Sequence, residues 1–122
     1  MPHETPNEHF MSGQLLAALW TLRLLVTPGA AAPERDEFLA KKVPAQLLDK
    51  ELPSLANHLI LAKRRGSDRW KAAVEVFREI PGLLPPGRLP DDTMGPSEQR
   101  AFADGYTEQL TKYKEKWSQI LA

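Results

Sequence analysis

The stretch that decides the fold is PSEQRAFADGYTEQLTKYKEKWSQILA, residues 96–122. Its large apolar side chains recur at intervals of three and four, which places them on one face of an α-helix. They are Phe102, Tyr106, Leu110, Tyr113, Trp117 and Ile120. Because Ser97 can cap the first turn, the spacing predicts one helix from residue 96 or 97 to about residue 121. Such a helix of about 26 residues would be ~39 Å long.

The apolar face of this C-terminal helix is open to two interpretations. Large residues at helical spacing are usually a domain's own core. From Tyr106 onward, however, they also follow a heptad spacing, and Tyr and Trp are common in protein interfaces. The second interpretation assigns contact with a protein partner, or with a second copy in a homodimer, to Tyr106, Tyr113, Trp117 and Ile120. Gly105 costs the helix ~1 kcal/mol relative to alanine, which predicts that a neighbour approaches it closely.

Three apolar blocks in the first half of the chain predict further helices. Residues 15–26 are apolar almost all round, so a central helix should run from near residue 7 or 12 to Val26 or Thr27. A short helix is expected over 33–43, after a proline and several acids that suit a helix start. A third pattern over 48–65 contains Pro53, which predicts a break or kink there.

A fourth helix should start at Ser67 and stop at Pro81. Its predicted apolar stripe consists of Trp70, Ala73, Val74, Phe77 and Ile80. No segment has the alternation of a strand. The sequence therefore predicts an all-α fold, a small bundle of four to five helices with a long C-terminal amphipathic helix.

Length and composition predict a single helical domain over 1–122, with a flexible N-terminus at 1–6 and a Pro/Gly-rich loop at 81–96. With 42% hydrophobic and 26% charged residues, the chain can bury a core. It has no cysteine, which excludes disulfides and thiolate chemistry and favours the cytoplasm as its compartment. The longest apolar run is shorter than the roughly 20 residues of a membrane span, so no membrane association is expected.

A basic corner lies between the third and fourth predicted helices, at 63–71. It consists of Lys63, Arg64, Arg65, Arg69 and Lys71 around the Gly66–Ser67 turn. Two helices joined by a short glycine turn resemble the DNA-binding helix-turn-helix motif, although Arg65 stands where that motif has an apolar residue. The resemblance implies that these five residues bind nucleic acid through phosphate contacts. The alternative is that they neutralise a helix end and otherwise lie in solvent.

The sequence contains no arrangement typical of a catalytic, metal or cofactor site. His58 is alone on a helix, and no pair of histidines or of Glu and His has the spacing of helical metal ligands. The glycines are separated by prolines rather than grouped in a phosphate loop. We therefore expect a non-enzymatic regulatory or accessory protein that acts through a protein partner. A small nucleic-acid-binding regulator that uses the basic corner is the alternative.

Overall fold

The structure, a computed structural model, describes residues 5–27, 30–39, 43–84, 90 and 92–121. Its helices are α1 (Thr5–Val26), α2 (Pro44–Glu51), α3 (Leu55–Arg65), α4 (Ser67–Leu83), α5 (Pro96–Lys116) and the one-turn α6 (Ser118–Leu121). Two 3₁₀ turns lie at Arg35–Leu39 and Leu52–Ser54. The described ranges contain no strand, which confirms the prediction of an all-α bundle with a long C-terminal helix. Within the same ranges, no helix combines the length and hydropathy needed to cross a membrane.

α1 lies at the centre of the bundle, where it contacts α2, α3, α4 and α5. Because its residues are apolar almost all round, it buries side chains on several sides at once. These include Leu15, Leu16, Leu19, Leu22 and Leu25. The hydroxyl of Thr21, also fully buried, donates to the carbonyl of Ala17 one turn earlier at 2.8 Å. The predicted central position of this helix is thus confirmed.

The backbones of α1 and α5 approach each other closely, and two glycines make this approach possible. A Cβ atom at Gly105 would collide with the carbonyl oxygen of Phe10 and lie 2.9 Å from its carbonyl carbon. A Cβ atom at Gly13 would collide in the same way with the carbonyl oxygen of Phe102. The prediction that a neighbour approaches Gly105 closely is confirmed, and Gly13 is its counterpart on α1.

The connection between α1 and α2 packs against α5 through one aromatic side chain. Phe38 is buried, and its ring meets that of Tyr106 edge-on at 4.7 Å between centroids. The sequence predicts a helix over 33–43. In the described part of that range, the helical segment is the 3₁₀ turn Arg35–Leu39. Residues 40–42 lie outside the described ranges. The predicted break at Pro53 is confirmed, since a 3₁₀ turn separates α2 from α3 at that point.

Helix ends differ from the prediction at two places. α4 continues through Pro81 to Leu83, so the predicted stop at Pro81 is wrong. Pro81 lies on the exposed side of the last turn, where losing one backbone hydrogen bond costs little because solvent is near. α5 begins at Pro96 as predicted, but Glu98 rather than Ser97 provides the cap, since its carboxylate accepts the backbone N–H of Gly95 at 2.9 Å.

The C-terminal helix is interrupted at Trp117, so the predicted continuous helix to residue 121 is wrong beyond Lys116. Trp117 has φ −121° and ψ 45°, outside the helical region, and its ring stacks on Tyr113 with centroids 5.7 Å apart. The chain turns there, and Ile120 and Leu121 of α6 pack against the core. The C-terminal segment therefore folds back onto the bundle instead of projecting past it.

Candidate functional site

The outer side of α4 carries a row of large apolar side chains that the bundle covers only in part: Trp70 and Val74 are half-buried, whereas Phe77 and Leu84 are exposed. We call Trp70, Val74, Phe77 and Leu84 the outer stripe. They follow each other at intervals of four, three and seven residues, so they lie along one side of the helix and its end. Phe77 is 43% exposed and Leu84 is 46% exposed. Such large side chains are usually buried, so a contiguous row of them at the surface is typical of an interaction site.

The outer stripe exists because a different face of α4 packs on the core. The buried side chains are Ala72, Ala73, Val76 and Ile80. The residues of the predicted apolar stripe are divided between two surroundings: Ala73 and Ile80 are buried, whereas Phe77 is 43% exposed. Alanines at the contact let α4 lie close to α1, and this turns the larger side chains of the helix outward.

Positive charge borders the outer stripe on both sides. The ammonium of Lys63 on α3 lies 5.6 Å from the centroid of the Trp70 ring, within the range of a cation–π contact. On the other side, Lys71 and Arg78 stand seven residues apart along α4. Both line an open groove of about 520 Å³ together with Trp70, Val74 and the acidic Glu75. Among the described residues, neither Lys71 nor Arg78 has an acidic partner within salt-bridge distance.

A second groove lies between the first turns of α4, at Asp68 and Lys71, and the C-terminal segment. It has a volume of about 420 Å³, and its lining includes Lys71, Lys116, Trp117 and Ile120. Lys71 lines both grooves and therefore lies between the outer stripe and the C-terminal segment. Trp117 and Ile120, two of the predicted partner-binding residues, are partly exposed and border α4 at this groove.

The other two predicted partner-binding residues lie in the core. Tyr106 is 1% exposed, and its hydroxyl donates to the carbonyl of Pro33 at 2.7 Å. Tyr113 is 3% exposed, and its hydroxyl donates to a carboxylate oxygen of Glu79 at 2.6 Å. Burial raises the pKa of both phenols far above the ordinary value, and the hydrogen bond to Glu79 raises that of Tyr113 further. Their role in partner binding stays a prediction, but neither presents a surface to a partner in this fold.

The basic corner is divided between structural and exposed residues. Arg69 donates to the carbonyl of Leu25 at 2.7 Å, and Arg65 donates to the carbonyl of Val26 at 3.1 Å. These carbonyls belong to the last turn of α1, where carbonyl groups have no N–H partner within the helix. The same turn carries the negative end of the helix dipole. The sequence indicated a dipole contact for these arginines, but it gave no signal that the contact is with α1.

The remaining residues of the basic corner are Lys63, Arg64 and Lys71, and all three are exposed. Gly66 alone forms the turn between α3 and α4, with φ 130°, a conformation that side chains other than glycine's rarely adopt. This one-residue turn is tighter than the three or four residues of a helix-turn-helix motif. Nucleic-acid binding by the corner stays a prediction: four of its five cations are exposed, and one of these, Arg65, is also held by the Val26 carbonyl.

A polar cluster joins α1 to α2 and α3. Arg23 lies 3.4 Å from both carboxylate oxygens of the buried Glu51, and its guanidinium stacks 4.7 Å from the centroid of the Trp20 ring. Partial burial lowers the pKa of the nearby His58, and the positive charge of Arg23 lowers it further, against an opposing effect of Glu51. The cluster offers no nucleophile to His58, and its geometry is that of an ion pair that connects helices.

The described ranges contain no group of three or more His, Asp or Glu side chains that could hold a metal ion. No protein-family model matches the sequence, and no characterised protein or solved structure was found to be significantly similar to it.

Proposed function

We propose that this chain is a non-enzymatic regulatory or accessory protein that binds a protein partner on the outer side of α4. The observation that carries the proposal is the exposure of Phe77 and Leu84 beside Trp70 and Val74. We also propose the cytoplasm as its compartment, in keeping with a sequence that has no cysteine.

Energetics support a binding role for the outer stripe. Fully burying a large apolar side chain contributes roughly 1.5–3 kcal/mol, and Phe77 and Leu84 are only partly buried by the fold. A partner that covered these side chains would gain the remaining part of this free energy on binding. Large side chains one turn apart also present the ridge that packs into the groove of another helix. The neighbouring groove at Trp117 extends the same surface and includes part of the interface predicted from the sequence.

The experiment is partner capture from the native host with two matched variants. Phe77→Ser removes the centre of the outer stripe, and Arg100→Ser makes the same new residue at an exposed position of α5. We expect one partner to be retained by the wild type and by Arg100→Ser, and to fall at least tenfold with Phe77→Ser. Thermal unfolding checks that both variants fold. Equal capture by all three proteins would contradict the proposed surface. Sedimentation of the purified chain shows whether the partner is a second copy.

Nucleic-acid binding is the second candidate function. The observation that favours it is the exposure of Lys63, Arg64 and Lys71 at one corner of the bundle, close to the exposed Arg78. Binding of this kind would rest on phosphate contacts and would weaken steeply with salt. Titration with generic duplex DNA at low salt tests it: no measurable affinity rejects this candidate. Affinity that falls with Arg64→Ala and Lys71→Ala would support it.

A further inference from the structure

We propose that the partner element on the outer stripe is an amphipathic α-helix whose apolar face is flanked by acidic side chains. This inference rests on the proposed function and specifies the chemistry of the partner. It follows from two features of the surface: the length and spacing of the stripe, and the sign of the charges along its edges.

The length and spacing of the outer stripe match a helix of about four turns. Trp70 and Leu84 are fourteen residues apart, which corresponds to about 21 Å along a helix at 1.5 Å per residue. Trp70, Val74 and Phe77 recur once per turn, as the contact residues of two packed helices do. The open groove of about 520 Å³ beside them lies between side chains of α4 itself and includes the apolar atoms of Trp70 and Val74.

The charges along the edges of the stripe select for acidic flanks. Lys71 and Arg78 lie two turns apart on one edge, about 10 Å at 1.5 Å per residue, and Lys63 stands on the other edge at Trp70. Two acids of α4 make other contacts: Glu75, which lines the same groove, pairs with Lys116 at 3.2 Å, and Glu79 accepts the Tyr113 hydroxyl. Among the described residues, neither is within salt-bridge distance of Lys71 or Arg78. A partner helix with Asp or Glu seven residues apart would place its carboxylates opposite Lys71 and Arg78.

The same surface fits other anionic partners less well. On the face of Trp70 that Lys63 covers, a nucleobase could stack only by displacing the ammonium. An anionic bilayer presents no fixed spacing of charge, whereas Lys71 and Arg78 stand two turns apart beside Trp70 and Val74. A helix with acids seven residues apart reproduces that spacing.

The test uses two synthetic helical peptides of eighteen residues with the same leucine face, one with Glu and one with Lys at the flanking positions. Binding to the full chain is measured by NMR titration, with the backbone signals of Val74 and Phe77 as reporters of the site. We expect the Glu peptide to bind at these signals at least tenfold more tightly than the Lys peptide. The double variant Lys71→Glu/Arg78→Glu should reverse that preference. The control Arg100→Glu/Lys114→Glu makes the same charge change on α5 and should leave the preference as it is.

Each other outcome counts against the acidic helix. Equal binding of the two peptides at Val74 and Phe77 would overturn the charge selection while leaving protein docking at the stripe intact. Binding of neither peptide would overturn the inference, and the capture experiment with Phe77→Ser would still judge the proposed function separately. Tighter binding of phosphatidylglycerol vesicles or of a dT12 oligonucleotide at the same signals would assign the surface to a membrane or to nucleic acid instead. If the charge-reversed variant does not fold, Lys71→Gln/Arg78→Gln takes its place and should abolish the preference.

Discussion

Replacing Gly105 by alanine tests the closest contact in the bundle. At an interior helical position alanine is ~1 kcal/mol more favourable than glycine, so helix propensity alone predicts stabilisation. The new methyl group would, however, collide with the backbone of Phe10 on α1. Overpacking costs typically 1–3 kcal/mol, and the upper end applies because a backbone carbonyl cannot rotate away as a side chain can.

The two opposing effects leave a net loss of about 2 kcal/mol in the free energy of unfolding. For a chain of 122 residues, each kcal/mol corresponds to about 4 °C in Tm, so Gly105→Ala should lower Tm by about 8 °C. The assay is thermal unfolding followed by circular dichroism at 222 nm, with urea unfolding as an independent measure of the free energy.

Two other glycines serve as controls with different expected signs. A Cβ atom at Gly82, in the last turn of α4, would meet nothing within 4 Å, so Gly82→Ala should raise stability by up to ~1 kcal/mol. Gly66 also has open space around it, but its φ of 130° is strained for alanine, so Gly66→Ala should cost roughly 1–3 kcal/mol. If Gly105→Ala stabilises the protein as Gly82→Ala does, the close approach of α1 and α5 is refuted.

Two more predictions concern the basic corner and the polar cluster. Arg69→Ala removes a charged donor from the Leu25 carbonyl and should lower the free energy of unfolding by about 1.5 kcal/mol. Arg64→Ala should change it by less than ~0.5 kcal/mol. Equal urea midpoints for the two variants would contradict the capping role of Arg69. Burial and the charge of Arg23 lower the pKa of His58 in the folded state. As the pH falls below ~6.5, His58 is therefore protonated in the unfolded state before it is protonated in the folded state. The free energy of unfolding should decline in that pH range. His58→Gln should flatten that part of the pH–stability curve, and an unchanged curve would show that His58 does not cause the decline.

The fold was largely predictable from the sequence because helical periodicity and helix-breaking residues are local signals. The apolar run at 15–26 indicated a central helix, and Pro53 marked the break between α2 and α3. Gly105 indicated the tight contact, since a glycine inside a long helix needs a reason outside that helix. These features depend on residues a few positions apart, which the sequence displays directly.

The candidate site was not predictable in the same way, because it depends on which of two apolar faces of α4 packs on the core. The sequence pattern placed Trp70 and Phe77 together with Ile80 on one stripe, since a helical period cannot tell a core face from an adjacent exposed one. The face with the small Ala72 and Ala73 is the one that is buried, together with Val76 and Ile80.

The C-terminal end shows a related limit of periodicity. The heptad spacing continues past residue 116, yet the helix is interrupted at Trp117, whose φ and ψ leave the helical region, and Ile120 and Leu121 beyond it pack against the core. Likewise, the hydrogen bonds of Arg65 and Arg69 depend on where the end of α1 lies in the fold, and α1 ends about forty residues earlier along the chain. Contacts at such separations leave no trace in local spacing.

The central claim is that the outer side of α4 is covered by a protein partner in the cell. Site-specific photo-crosslinking in the native host tests it most directly, with p-benzoylphenylalanine in place of Phe77 and, as the matched control, in place of Arg100 on α5. The account predicts a discrete crosslinked protein from position 77 that is absent from position 100. No adduct at position 77, or the same adducts at both positions, would contradict it.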